Sequence, residues 1–310
     1  MPAVEGLMVC FLGLRKSGAR TTFEVYKIHC AASTSMVRYC ILLCIVFMPK
    51  SSLAQRGYYT PKALQIPLHE QRKQLQVGAG WGGGYGLDVS YAATNHLAFF
   101  GNATLDQRTY TRTQLFGSRY KQHNDTYVLQ GGVGYFGQMK HRRLNRLEWY
   151  AGAGITNVNN SRYSIEFPEI KEYVKARYWT TFSQLNIGKE GIKGELVFGV
   201  RLAYSRYLDF TYYDAYQRNL SYRYENLQGI TLEPVISYGY RWKGFKAAIQ
   251  GGVAAPLFAP KARLYTTQPT VTTPMVTVLR EQMPLAALIG RISLQYQLDL
   301  RKKEANPSVP

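Results

Sequence analysis

Apolar and polar positions alternate with a period of two along most of the chain after residue 73. The clearest run is Ile230, Leu232, Pro234, Ile236, Tyr238, Tyr240 and Trp242, interleaved with Thr231, Glu233, Val235, Ser237, Gly239 and Arg241. A helix turns about 100° per residue and would scatter the first set round its axis, whereas a strand sends alternate side chains to opposite faces. Ala286, Leu288, Gly290, Ile292, Leu294, Tyr296, Leu298 and Leu300 likewise oppose Arg291, Ser293, Gln295, Gln297 and Asp299. Leu196, Phe198, Val200, Leu202 and Tyr204 oppose Glu195, Gly199, Arg201 and Ser205. With shorter runs at 74–81, 84–93, 96–107, 125–137, 146–157, 177–188 and 245–256, the pattern predicts ten strands. Residues 177–188 alternate poorly, which predicts a bulge or a displaced boundary there.

The connections between these strands alternate too. Asn95-His96, the stretch around 138–145, Lys189-Glu190-Gly191 and Lys243-Gly244 are short and polar, and long segments fall near 108–124, 158–176, 206–229 and 257–283. Short and long in turn is the signature of an up-and-down antiparallel barrel with tight turns at the periplasmic end and large loops outside. The first hairpin, around Gly82–Gly84, is the exception, with a short outer turn. The predicted fold is all-β: a transmembrane barrel of about ten strands, with eight to twelve allowed, over residues 74–300.

The second face of each strand separates a membrane barrel from a soluble one. It carries Gly, Ser, Gln and isolated charges (Asp88, Glu195, Arg201, Glu233, Arg241, Arg291) in place of dense Lys and Glu. Such a face suits a narrow polar interior. Aromatics cluster toward strand ends at Trp81, Tyr85 and Tyr91, Trp149 and Tyr150, Tyr178 and Trp179, and Tyr238, Tyr240 and Trp242, where membrane girdles belong. Composition agrees: 25 Tyr and 28 Gly accompany only 18% charged residues. A secreted soluble β-protein with its tyrosines in a core is the alternative.

The stretch Leu75-Gln-Val-Gly-Ala-Gly-Trp-Gly-Gly-Gly-Tyr-Gly-Leu-Asp-Val-Ser-Tyr-Ala-Ala-Thr-Asn-His-Leu-Ala98 resembles the opening hairpins of small outer-membrane β-barrel proteins common in Bacteroidota. The resemblance extends loosely over 74–300 and implies a fold and a location, with no shared catalytic residues. One departure is the close of the last strand on Leu298 and Leu300, where assembly-competent barrels often end on an aromatic.

Ahead of the barrel, residues 36–54 read as a secretory signal. Arg38 precedes an apolar stretch at 40–48, too short to span a bilayer, and Ser52 and Ala54 stand at −3 and −1 of a cleavage point before Gln55. Residues 1–35 show no sustained period and read as an upstream extension from a mis-assigned start, with Met36 the true start; a genuine N-terminal segment is the alternative. Residues 55–73, with Pro61 and Pro67, read as a periplasmic lead-in, and 301–310 as a polar periplasmic tail. Both mature termini are then expected in the periplasm.

Charge and candidate chemistry add little to this. The formal net charge is +19, but no dense basic run or recognition helix appears, so anionic lipid and lipopolysaccharide are the expected partners and nucleic acid is not. The four cysteines, Cys10, Cys30, Cys40 and Cys44, all precede residue 55 and suggest no metal site or cofactor. His123 and Asp125, in an outer loop, are a weak candidate for water activation; His69, His96 and His141 map to the lead-in or to periplasmic turns. Glu195, Arg201, Glu233, Arg241 and Arg291 face inward and are expected to pair as an electrostatic plug, with a selectivity ring as the alternative. Arg206, Tyr207, Tyr212, Tyr213, Tyr216, Arg218, Tyr222, Arg223 and Tyr224 form a candidate contact surface, or else extend their strands above the membrane. The expected role is a non-enzymatic outer-membrane barrel, structural, adhesive or part of an envelope complex, folded by the barrel-assembly machinery; a narrow pore and an outer-membrane hydrolase are the alternatives.

Overall fold

The structure is a computed structural model that describes residues 12–17, 20–25, 59–113, 119–139, 144–168, 171–214, 220–259, 262–267, 277–281 and 287–300. The expected signal at 36–54, the tail at 301–310, the four cysteines, His141, Tyr216 and Arg218 lie outside the described residues. The chain divides into two units, Met1–Met48 and Pro49–Pro310. In the first, β1 (Leu12–Ser17) and β2 (Arg20–Val25) form an antiparallel hairpin from Leu12↔Val25 to Ser17↔Arg20. Strands of six residues are too short for a period of two to stand out in the sequence.

The second unit holds β3 (Gln74–Trp81), β4 (Tyr85–Ala92), β5 (Leu97–Asp106), β6 (Thr109–Thr113), β7 (Arg119–His123), β8 (Thr126–Gln138), β9 (Arg146–Ser164) and β10 (Lys171–Glu190). It continues with β11 (Gly194–Asp214), β12 (Leu220–Glu225), β13 (Gln228–Trp242), β14 (Phe245–Phe258), β15 (Ala262–Thr267), β16 (Thr277–Glu281) and β17 (Ala287–Asp299). Ten of these pair antiparallel in the order β3-β4-β5-β8-β9-β10-β11-β13-β14-β17. The circle closes where β17 returns to β3, from Ile292↔Trp81 to Asp299↔Gln74.

Burial runs opposite to that of a soluble protein. On β4, Leu87 is 66% exposed on the outside while its neighbour Asp88 is 5% exposed in the lumen. The apolar faces read from the sequence are the outer ones: Ile236, Tyr238, Tyr240 and Trp242 on β13, and Leu288, Ile292, Leu294 and Tyr296 on β17, are all exposed. In water such a surface would be an aggregation hazard; against hydrocarbon it is the stable arrangement. Trp81, Tyr85 and Tyr127 ring the barrel toward the loop end, and Tyr135, Trp149, Trp242, Phe245 and Tyr296 toward the turn end. From Ile230 to Trp242 the outer row rises roughly 40 Å along the strand, or about 30 Å along an axis tilted by about 40°, which matches a bilayer core.

The short connections sit where expected. Lys243 and Gly244, with φ of 46° and 84°, give the β13–β14 hairpin the left-handed pair that a two-residue turn between twisted strands demands. The long segments differ from the expected loops. Most of 158–176 is strand, because β9 runs on to Ser164 and β10 begins at Lys171, and most of 206–229 belongs to β11, β12 and β13. Beyond the barrel these extensions form one sheet in the order β6-β7-β9-β10-β11-β12-β15-β16. The irregularity expected in 177–188 is a register shift at Arg177/Tyr178 against β11. Burial on β10 nevertheless alternates throughout, as Thr181 and Ser183 face outward and Phe182 faces a lumen cluster with Phe100, Phe136 and Tyr150. The sequence pattern blurs there because the interior is locally apolar.

Placing a charge on the outer band tests the membrane assignment. Ile249→Arg, at a position 56% exposed and mid-strand, is expected to cost about 2–4 kcal/mol in urea titrations of protein folded into lipid vesicles. An unchanged midpoint would mean that this face meets water.

Candidate functional site

The lumen is occupied by the chain itself. Residues 59–70 carry no regular secondary structure and lie inside the barrel, with Leu64, Ile66, Leu68 and His69 at 0–2% exposure. For 59–70 this corrects the expectation of a periplasmic lead-in; 55–58 lie outside the described residues. Its prolines fit either setting, since a segment unable to join a ladder suits a lumen as well as a linker.

Without a sheet or helix, the segment's backbone groups need other partners, and side chains of the lumen wall supply them. Arg201 donates to the Lys62 carbonyl (2.7 Å), Gln184 to the Gln65 carbonyl (2.7 Å) and Lys246 to the Ile66 carbonyl (3.0 Å). The His69 and Glu70 amides donate to Glu148 (3.0 Å) and Gln74 (2.9 Å), and the Thr60 amide to the Tyr178 hydroxyl (3.3 Å). Side chains of the segment reciprocate: Lys62 donates to the Gly83 carbonyl (2.7 Å) and Gln65 to the Val89 carbonyl (3.0 Å). Leu64 and Ile66 join a buried cluster with Val197, Val235 and Ile289. Gly199 leaves the space for this: a Cβ there would lie 2.9 Å from Leu64 Cδ2.

The five expected lumen charges are all partnered, in three groups. Arg201 Nε donates to Glu233 (2.6 Å), which also accepts from Tyr59 and from Thr231 (3.1 Å). Near the turn end, Arg241 meets Glu195 (3.1 Å), Glu190 and, from the segment, Glu70 (2.8 Å), while Lys246 meets Glu195 at 3.0 Å. Arg291 pairs with Asp88 across the β17–β3–β4 wall. Period two identifies these residues as inward, but their grouping comes from register. Arg201 stands directly opposite Glu233, and Glu195 and Arg241 lie on adjacent strands. The segment's own Tyr59 and Glu70, and Glu148 and Lys246 on the wall, are missed by the sequence reading. Their signal, an isolated polar residue on an inward strand position or in a Pro-bounded stretch, is shared by many inert residues.

The tyrosine- and arginine-rich stretch divides between two faces. Tyr207 and Tyr212 are buried, with Tyr207 packed on Tyr178 (ring centroids 4.6 Å) and Tyr212 stacked on Tyr222 (5.8 Å), and Tyr224 meets Phe210 edge-on (5.3 Å). Burial corrects a contact role for Tyr207 and Tyr212, while Tyr222 and Tyr224 are half-buried against the same cluster; alternation on β11 and β12 turns all four toward it. Arg206 and Arg223 are exposed on the other side, where Tyr213 stacks on Tyr173 (5.1 Å).

His123 lies at the end of β7 and its Nδ1 meets the Thr109 hydroxyl at 2.8 Å, while Asp125 accepts from Gln107 at 3.4 Å. Each is exposed or at the rim, with a neighbour other than the expected one. His96 stacks on Tyr135 beside a turn, and His69 is buried within the lumen segment. Among the described residues no group of His, Cys, Asp and Glu could hold a metal ion.

No protein-family model matches this sequence, and no curated protein matches it. Among solved structures, the translocator domain of the autotransporter NalP from Neisseria meningitidis is similar over 84% of this chain and 97% of that one, at 11% identity and a TM-score of 0.32. The ring closure, the exposed apolar band and the aromatic girdles are what decide the fold. It is an outer-membrane β-barrel fold.

The Arg201–Glu233 pair tests how strongly the lumen depends on charge. Arg201→Ala would leave a carboxylate at 0% exposure without its cation, and a loss of about 3–5 kcal/mol is expected in lipid-vesicle urea titrations. The double change Arg201→Met with Glu233→Leu is expected to recover part of it, since the bonds to the Lys62 carbonyl and from the Tyr59 hydroxyl stay lost, and a double variant no more stable than Arg201→Ala would show that the stranded carboxylate is not the source of the loss.

Proposed function

We propose that this chain is a non-enzymatic integral protein of the bacterial outer membrane, structural or adhesive or part of an envelope complex, whose lumen is sealed by its own residues 59–70. The observation that carries the reading is the set of six backbone groups of that segment, each bonded to a side chain of the lumen wall. Conformational order in an irregular peptide is costly, and a wall that answers so many of its polar groups offsets that cost. Ten strands leave a narrow interior, and one extended chain is enough to fill it.

The rest of the reading follows from that location. Export uses the signal at 36–54, insertion uses the barrel-assembly machinery, and the exposed Arg206 and Arg223 face anionic lipid, lipopolysaccharide or a protein of the envelope. Kinship with the small Bacteroidota barrels belongs to the same proposal.

A narrow pore is the second reading, and one observation favours it. Gln76, Ser90, Asn102, Gln130, Gln250 and Gln295 have buried polar atoms with no protein partner, which suits water beside the segment. Recording from purified protein in a planar bilayer with KCl separates the two. The sealed barrel is expected to be silent, with discrete steps appearing once 59–70 is deleted. Steps in the intact protein that shift on Arg241→Ala would establish the pore and overturn the seal.

A further inference from the structure

The outward rows of β10 and β11 change character at one level. On β11 the row climbs through Phe198, Val200, Leu202 and Tyr204 and then reaches Arg206. On β10 it passes Leu185, Ser183 and Thr181 to Trp179 and then reaches Arg177 and Lys175. Trp179 meets Tyr204 edge-on (ring centroids 5.5 Å), and Tyr204 stands opposite Ile230, where the lipid-facing row of β13 begins at the loop end. The Tyr204 hydroxyl donates to Gln228 (2.7 Å), the next outward residue of β13. These rings mark the boundary between hydrocarbon and headgroups, and the arginines lie on the headgroup side of it. Register gathers the cations. Arg206 stands opposite Trp179, with Arg177 two residues further along β10, so the two arginines are diagonal neighbours about 7–8 Å apart. Lys175, Thr211 and Arg223 lie in one row across β10, β11 and β12, which sets Lys175 and Arg223 roughly 10 Å apart.

These four cations are exposed and form no ion pair among the described residues, whereas Arg201, Arg241, Arg291 and Lys246 in the lumen each meet a carboxylate. Asp209, opposite Arg177, and Glu225, two residues from Arg223, are the acids of this face on β10, β11 and β12, and Lys171 keeps the cations in excess of them. Other walls have no such cluster at this level: past the lipid-facing band the outward alternation reaches Gln228 on β13, Gln107 after β5 and Asp125 before β8. We propose that the outer face of β10, β11 and β12 binds a phosphorylated glycolipid of the outer leaflet. Arg177 and Arg206 take a phosphate at headgroup level, and Lys175 and Arg223 take anionic groups further from the membrane on the same molecule. The proposal rests on the outer-membrane reading and specifies one of its partners. A guanidinium can answer two phosphate oxygens at once, and a cation at the membrane surface without an acid of its own draws its counterion from the headgroups. Neighbours on the same face suit the sugars. Asn157 and Asn159 on β9 stand opposite Arg177 and Lys175, and the stacked Tyr173 and Tyr213 lie just beyond (5.1 Å). Amides and ring faces match sugar hydroxyls and the apolar faces of sugar rings, while the acyl chains lie along Leu202, Val200 and Phe198 below.

The test titrates the full chain, folded in detergent without lipid, with three probes and reads binding by native mass spectrometry. The probes are a rough-type lipopolysaccharide of defined structure, the same molecule after enzymatic dephosphorylation, and phosphatidylglycerol. The phosphorylated glycolipid is expected to bind about tenfold or more tightly than either of the others. Arg177→Gln with Arg206→Gln is expected to remove about that factor, and Lys175→Gln with Arg223→Gln a smaller one. Lys189→Gln, at an exposed cation on the turn end of β10, is expected to change nothing. Variants are compared only where the heat-dependent gel shift matches wild type, and the comparison of probes needs no variant at all. Equal binding of the dephosphorylated lipid or of phosphatidylglycerol would overturn the proposal, as would wild-type binding by the Arg177 and Arg206 double variant or an equal loss in Lys189→Gln. The outer-membrane reading is checked apart from this, by fractionation of cells. Recovery of the folded protein outside the outer membrane would remove that reading, while the titration would still report on the site.

Discussion

The return of β17 to β3 is the pairing on which the other nine ladders depend. Hydrocarbon offers no partner for a backbone amide or carbonyl, so a sheet can cross a bilayer only if it has no edge. Eight paired positions, from Ile292↔Trp81 to Asp299↔Gln74, remove the two edges that β3 and β17 would otherwise present. Closure also sorts the side chains. Once the ring is formed, every strand has one face toward lipid and one toward a lumen a single chain wide, and period two decides which residues go where.

That lumen imposes a second constraint. Charges such as Glu233 and Glu195 are almost wholly buried, and only close partners make them tolerable. The wall provides some, through Arg201 and Lys246, but its amides and cations also face inward with capacity to spare. Residues 59–70 use that capacity, taking hydrogen bonds from Arg201, Gln184 and Lys246 on their carbonyls and giving them to Glu148 and Gln74 from their amides. The polar face that would otherwise hydrate a channel becomes the binding surface of an internal peptide, and the charge pairs and the peptide share the same arginine and glutamates.

Outside the membrane the constraint relaxes, and the strands are free to lengthen unevenly. β9, β10 and β11 run for 19, 20 and 21 residues against 8 each for β3 and β4, so the barrel is tall on one side. The tall side continues into the eight-stranded sheet, whose inner tyrosines, Tyr207, Tyr212, Tyr222 and Tyr224, belong to or pack on the cluster that holds the segment. The outer side keeps the arginines. A tyrosine-rich stretch that reads as a sticky loop is thus half packing and half surface.

How much of this was legible in the residues follows from what each signal measures. Alternation reports which face a side chain takes, and Ile230 to Trp242 and Leu288 to Leu298 state it without ambiguity; the ten strands, the lipid-facing band and the inward charges all follow from it. Alternation does not see what lies across a lumen. Phe182 and Tyr150 point inward because a cluster awaits them; the sequence reading counts the stretch around Phe182 as irregular and expects Tyr150 and Tyr178 in a lipid-level girdle, whereas both are buried at 0–1% exposure. It does not see length either, since strand above the membrane has no lipid to enforce the pattern. By itself, then, the sequence determined the strands, the apolar band that faces lipid and the identity of the inner charges, because these depend on local periodicity, while closure rests on the long-range pairing of β17 with β3. Only the tertiary structure decided which charge meets which, that 59–70 lies within the ring, and which way it runs. Those depend on register and on contacts between residues more than a hundred positions apart, such as Tyr59 with Glu233 and Lys62 with Arg201.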